Sequence, residues 1–462
     1  MKQEVDFRVA GVCLDVERDL VVLVERKDTP TVLPGGSVLH TITCLLHLFS
    51  LSSFSHHPDA SRLAISVSFA CPTINYSIVI QLGGDHLALL MSKREFIAGA
   101  DRFFLCNWTN GVGAAYWEAI PHWDTVCFIS HYALLLPDTN GFALNIYTFT
   151  DDDPGSFVLA ASLLLPQKDE DASLMSITAR SEPAPRSPRR RVRDHDCSRH
   201  TSTPWTYQRQ PFTTDPDSAI VVLTMVYIGD ANRVQTEQTL VVHRSTLLEH
   251  ARRDTKSAGS HPTQTHHRVS LEWAAWGPNC TRWGIDGSPW VFSMHGQRLV
   301  SMDPVLDPGT VGETTRMMVY DFNMRNAERD VPIEKAQMAQ SSTSEHPHMS
   351  SDSLKSDVAA LDVSGDVGQL VANSGEVGGW PTISRNLGPG GCLSEALNIT
   401  AQSVISWPAI FENKVVSSLP FRFMCTHEVF DWNRVMIDDE RIIGMKEMAD
   451  DGSMQLLEVI VL

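Results

Sequence analysis

The sequence predicts an all-β protein, a degenerate WD-repeat-like β-propeller of about six to seven blades carrying long disordered insertions. Two observations lead there. Short runs of Val, Ile and Leu, each entered from a polar or glycine-containing turn, recur along the whole chain. An aromatic residue beside a turn, following an alternating stretch, also recurs at roughly 40 residues per unit.

The runs, in order, are ERDLVVLVE (17–25), GDHLALLM (84–91), SHYALLLP (130–137), DSAIVVLTMVY (217–227), GQRLVSMD (296–303) and DERIIGMK (439–446). Each is too short for a typical helix and rich in β-branched and aliphatic residues, so each reads as a strand. Runs apolar on both sides suit strands buried between neighbouring sheets. The terminal LLEVIVL (456–462) reads as a closing strand. The turn motif is clearest in FLCNWTNG (104–111), where Asn110-Gly111 offers the positive φ angles of a tight hairpin. LNIYTFTDDDPG repeats the relation at Tyr147, and RMMVYDFN at Tyr320. Alternation sends each aromatic to one face, where it is expected to wedge between adjacent blades.

Two stretches break the pattern. Residues 167–215 are polar and Pro-bearing, and residues 334–379 are rich in Ser, Asp and Gly without an aromatic ring. Neither can bury enough apolar area to offset the entropy of ordering, so both read as disordered insertions, with 254–267 a shorter loop of the same kind. Residues 1–166 then form the N-terminal blades, 216–333 the middle blades and 380–462 the C-terminal blades.

Composition narrows the function. Of 462 residues, 37 are Lys or Arg and 55 are Asp or Glu, a formal net charge of −18. That balance opposes binding to nucleic acid and to anionic membrane, and neither is expected as a partner. The most lipid-like window, 38–54, holds two His and several Ser and Thr and makes a poor span. The nine cysteines are scattered singly, with no CxxC, which favours a reducing compartment, the cytoplasm. Five arginines in RSPRRRVR (186–193) offer nuclear import as an alternative location.

Candidate chemistry is sparse. EWAAWGPNCTRWGIDGSPW holds Trp273, Trp276, Trp283 and Trp290. Clustered tryptophans can form a partner-binding platform if two rings lie exposed side by side; otherwise they fill a blade core. His195, Cys197 and His200 are of metal-ligand type but too few for a structural zinc site, and no metal or cofactor is expected. Asp151–Asp153 and Asp438–Glu440 flank strands, where Asp is ordinary turn chemistry. The chain shows no nucleophile elbow and no phosphate-cradling loop, so a non-enzymatic role is expected.

The strings ERDLVVLVE, GDHLALL, WTNG, HYALLLP followed by NGFALNIYTF, VVHRSTLLEH, WAAWGPNCTRW, LPFRF (419–423) and VMIDDERIIGMK (435–446) occur in an order that resembles the F-box domain-containing proteins of mushroom-forming fungi. The resemblance spans the chain outside the two insertions. It implies a substrate-recognition propeller of a cullin–RING ubiquitin ligase, held to the ligase by an N-terminal F-box docked on a Skp-type adaptor. MKQEVDFRV enters strand-like sequence at once, so the F-box itself is expected to be absent. The adaptor is then a partner only if an F-box lies upstream. The expected function is protein binding, with a propeller-fold glycoside hydrolase or lactonase, or a scaffold acting through its loops, as alternatives.

Overall fold

In the computed structural model, the described residues are 5–93, 101–111, 114–119, 122–150, 154–185, 215–229, 235–257, 269–285, 293–305, 314–323, 396–426, 428–432, 434–447 and 454–461. They form an all-β architecture of successive antiparallel sheets with two helices.

The first sheet takes β1 (Val9–Asp15), β2 (Leu20–Val32), β3 (Val38–Ser50) and β4 (Ala64–Cys71) in chain order. The second repeats this with β5 (Tyr76–Gly83), β6 (His86–Lys93), β7 (Asp101–Asn107) and β8 (Ala114–Ala119). The third holds β9 (Cys127–Ser130), β10 (Ala133–Asp138), β11 (Ala143–Thr148) and β12 (Val158–Leu164), and the fourth β13 (Ser173–Arg180), β14 (Ile220–Ile228) and β15 (Gln235–His243).

Here the chain departs from the simple meander. After β15 it forms α1 (Arg244–Ser257) and β16 (Val269–Leu271), which pairs in parallel with β12 at the edge of the third sheet. It then forms α2 (Trp273–Cys280) and returns as β17 (Thr281–Trp283) to complete the fourth sheet. The fifth sheet joins β18 (Met294–His295), β19 (Arg298–Val305) and β20 (Thr314–Asp321) to β21 (Leu397–Ile399) and β24 (Phe421–Cys425), with β24 inserted beside β20. Between these last two lies a separate hairpin of β22 (Ser403–Ile405) and β23 (Val415–Ser417). The sixth sheet is β25 (Arg434–Ile437), β26 (Arg441–Glu447) and β27 (Met454–Val461), so the terminal strand pairs with its immediate predecessor.

Apolar cores lie between consecutive sheets, because strands buried on both faces need a neighbour on each side. Leu20, Val22 and Phe69 of the first sheet meet Leu87, Leu89 and Trp108 of the second. Leu90 and Phe103 meet Leu134 and Tyr147 between the second and third, and Ile146 meets Leu223 between the third and fourth. Val222 and Val241 meet Leu299 and Tyr320, and Val300 and Val319 meet Val435 and Ile442, continuing the stack to the sixth. Each fully buried aliphatic side chain contributes about 1.5–3 kcal/mol. Trp108, Tyr147 and Tyr320 are therefore inter-sheet wedges, as the aromatic-and-turn pattern predicts. Among the described residues, no such core joins the sixth sheet to the first.

Packing is close enough to fix particular residues. A Cβ on Gly444 would fall 2.0 Å from the Trp432 ring, so only glycine lets β26 pass beneath that indole.

Three sequence expectations need correction. Residues 173–180, placed in a disordered insertion, are β13, because Ile177 and Ala179 alternate into the core beside the strongly apolar β14. Helices α1 and α2 interrupt the strand pattern, and α1 runs into the stretch expected as a loop from 254. Leu247, Leu248 and Ala251 give α1 one buried face at helical spacing. The turn after Trp108 is not a two-residue hairpin: Gly111 alone has positive φ there, at 65°. Asn107 Oδ1 organises it instead, accepting from Thr109 N at 3.0 Å and from Thr109 Oγ1 at 2.7 Å. The insertion expected at 334–379, the arginine run at 186–193 and Asp151–Asp153 lie outside the described residues.

Candidate functional site: the axial turns

Turns that follow the first strands of several sheets meet those of neighbouring sheets. Arg18, in the β1–β2 turn, donates from Nη1 to Asp85 Oδ1 of the β5–β6 turn at 2.7 Å, and its backbone N–H donates to Asp15 Oδ1. His57 Nε2 donates to the Arg18 carbonyl at 2.9 Å and meets the Trp108 ring edge-on, with centroids 5.2 Å apart. The Arg18 guanidinium lies over the same indole, 5.6 Å from its centroid, a cation–π contact. Trp108 Nε1 donates to the Gly84 carbonyl at 3.1 Å. Wedge, turn and charge thus form one unit at the rim of the first two sheets.

Opposite them, Glu182 follows β13. Gly296 N of the β18–β19 turn donates to the Glu182 carbonyl at 2.8 Å, tying the fourth sheet to the fifth. His295 Nε2 sits 3.2 Å from Asp439 Oδ1 of the β25–β26 turn, where the fifth sheet meets the sixth, without a hydrogen bond between them. Arg244, wholly buried at the start of α1, donates to Pro216 O at 2.7 Å, Ser181 Oγ at 2.6 Å and Pro183 O at 3.0 Å. One guanidinium therefore clamps both stems of the long connection between β13 and β14.

Charge couples the end of the first sheet's opening strand to that of the fourth. Glu182 is exposed, with Arg244 and Asp15 as its charged neighbours. Desolvation pushes it up to about 7; Arg244 pulls it down and Asp15 pushes it further up. Burial likewise raises the Cys13 thiol of β1 to about 12, with Glu182 and Asp15 adding to the rise. A second polar knot ties sheet connections together away from these turns. His122 Nδ1 lies 3.3 Å from Asp101 Oδ2 and its Nε2 3.5 Å from Asp124 Oδ1, while Asp124 Oδ2 accepts from Ile177 N of β13. The hydrogen bond to Asp101 raises the His122 pKa, and burial raises that of Asp124.

The tryptophans do not form a platform. Trp276 and Trp283 are each 2 % exposed, inside the core between the third and fourth sheets. Trp273, half-buried, packs against both in T-shaped contacts at 5.1 and 6.0 Å. Trp276 Nε1 is spent on the Leu164 carbonyl at 2.8 Å. Trp290 lies outside the described residues. Two exposed neighbouring rings are not found among the described residues, because α2 turns Trp276 inward and β17 does the same for Trp283.

Asp15, Arg18, Asp85, Glu182 and Arg244 were not singled out by sequence reasoning. A signal existed for the acids: ERD, GDH and DDE each open an apolar run, so the turn chemistry of successive units was also the composition of a rim. Asp438 does serve its turn, accepting from Glu440 N and Arg441 N at 2.8 and 2.7 Å.

No family model and no curated protein matches the chain. Among solved structures, the chain is similar to the WD40 domain of SCAP from fission yeast, at 9 % identity and TM-score 0.30, covering 68 % of this chain and 70 % of that one. It is also similar to Kluyvelomyces marxianus Hsv2, at 8 % identity and TM-score 0.21, covering 69 % and 94 %.

Proposed function

We propose that the chain is a non-catalytic protein-interaction domain that receives its partner at the axial turns. The observation that carries this reading is the rim itself: turns from separate sheets, tied by Arg18–Asp85 and Gly296–Glu182, present side chains to solvent on a fixed scaffold. Within this reading, the resemblance to fungal F-box proteins assigns the domain to substrate recognition in a cullin–RING ubiquitin ligase, in the cytoplasm or nucleus. A Skp-type adaptor joins the complex where an F-box accompanies the domain.

Cross-linking mass spectrometry on partners captured by the tagged chain tests the reading. Cross-links from partner to 15–19, 85, 182, 296–297 and 438–440 are expected. Cross-links confined to 186–214 and 324–395 would contradict it and favour a scaffold acting through its insertions.

One observation favours a second reading. Desolvation, with the Asp15 charge adding, raises the Glu182 carboxyl toward about 7, the direction a general acid of a propeller-fold glycoside hydrolase or lactonase would require. Hydrolysis of a glycoside or lactone panel, abolished by Glu182→Gln, would establish that reading in place of the first.

A further inference from the structure

The face of β1 turned away from the second sheet is apolar and uncovered. Gly11 and Cys13 point inward; a Cβ on Gly11 would touch Val24 and Ile78, and Cys13 packs on the first core. The alternate residues Val12 and Leu14, with Val16 just beyond, are 53 %, 50 % and 54 % exposed. Behind them the same sheet face is covered, with Val21 and Leu23 only 3 % and 7 % exposed. Register sets Val12 opposite Leu23 and Leu14 opposite Val21, and these in turn stand opposite His47 and Phe49 of β3. On those rings Phe7 and Phe54 complete a ladder of stacked aromatics, with centroids 4.3, 6.1 and 5.1 Å apart from Phe7 through His47 and Phe49 to Phe54. The part of this face left in water is Val12, Leu14 and Val16, and exposed apolar side chains grouped on a folded domain mark a contact surface.

Charge selects the occupant. The described residues of the axial turns carry Glu17, Asp19, Asp85, Glu182, Asp215, Asp217, Asp438, Asp439 and Glu440. Arg18 is their one arginine or lysine, and it is buried and bonded to Asp85; His131 lies in the β9–β10 turn, where Arg252 of α1 donates to Tyr132 at 3.0 Å. The strand ends beside them add Asp15, Arg180, Arg298 and Arg441, which leaves the acids well in excess. A second copy of a chain with net charge −18 would bring like charge to this end, and so would a nucleic acid or an acidic peptide. A cationic chain would be drawn in. Resting on the interaction reading above, we infer that the β1 strip and the acidic turns at its end dock an extended basic segment of a partner protein. Apolar side chains of that segment lie on Val12, Leu14 and Val16, and its Arg or Lys side chains reach the carboxylates.

Fluorescence anisotropy with the full chain tests this, using a labelled alternating Arg–Val peptide and a Glu–Val peptide of equal length. The Arg–Val peptide is expected to bind, to weaken as salt rises, and to lose at least about tenfold in affinity with Leu14→Lys or Glu17→Lys. Both substitutions are on exposed positions, and thermal melts check that each variant folds. Equal binding of the Glu–Val peptide, or an Arg–Val affinity indifferent to both substitutions, overturns the inference. So does a concentration-dependent dimer in sedimentation that Leu14→Lys dissolves, which would assign the strip to a second copy. If partner cross-links still fall on the axial turns in any of these cases, the interaction reading survives and only this occupant is lost.

Discussion

The first two sheets and the third to fifth are built from similar strands but held together differently. In the first two, every strand pairs with its neighbour in sequence, and the join is a core plus the Arg18–Asp85–Trp108 rim. In the third to fifth, the chain repeatedly leaves its own sheet to brace another. β16 pairs with β12 of the third sheet, and residues 410–412 bridge back to 167–169 through Asp169 N to Ile410 O and Glu412 N to Gln167 O. Arg282, on β17, donates to the Leu419 and Ala401 carbonyls of the chain that builds the fifth sheet, at 2.8 and 3.1 Å. Local hairpins suffice where sheets are regular; where insertions interrupt them, long-range straps restore the cooperativity that short loops would otherwise supply.

The comparison can be broken in order of expected effect. Trp108→Ala empties the wedge between the first two sheets and is expected to cost about 4 kcal/mol. Hydrogen exchange should show lost protection confined to β1–β8. Arg282→Ala removes a buried guanidinium, which burial already depresses to about 10, and strands the carbonyls of Leu419 and Ala401. A loss of about 3 kcal/mol follows, with exchange rising together in the third to fifth sheets and not in the first two. Equal loss of protection throughout in both variants would erase the distinction.

A smaller effect is expected from pH. Glu182, Asp124 and His122 are all raised in the fold, so each binds its proton more tightly folded than unfolded. For Glu182 the stabilisation is full below its unfolded value of 4.5 and is lost as pH climbs through about 7; His122 loses its share above 6.5. Buried His243 is depressed and opposes this, weakening the fold below 6.5. Melting temperature is expected to fall between mildly acidic and mildly alkaline pH, and Glu182→Gln should flatten that slope. A slope unchanged by the substitution would show that Glu182 titrates alike in the folded and unfolded chain.

These contrasts also explain what the sequence made legible. The six apolar runs are strands because a short stretch of Val, Ile and Leu behind a polar turn carries its own local instruction. Trp108, Tyr147 and Tyr320 were readable for the same reason. β13 was hidden because SLMSITAR is only weakly apolar and owes its strand to β14, its partner across the long connection. Helices α1 and α2 were masked by VVH and TRW, which continue the strand pattern on either side. The axial site was unreadable as a site, since Arg18 and Asp85, or Arg244 and Ser181, meet only after the sheets stack. The tryptophans drew attention by abundance, yet abundance says nothing about which way a ring points.

The central claim is that the opening strands of distant sheets meet at one axis. Asp15 of the first sheet and Glu182 of the fourth sense each other's charge across it, so a double variant carrying Asp15→Cys and Glu182→Cys tests the claim directly. After treatment with a short bis-maleimide, the predicted result is a digest peptide linking position 15 to position 182, lost when the chain is unfolded before treatment. Absence of that link, while each introduced thiol still labels singly, would contradict the stack and the site built on it.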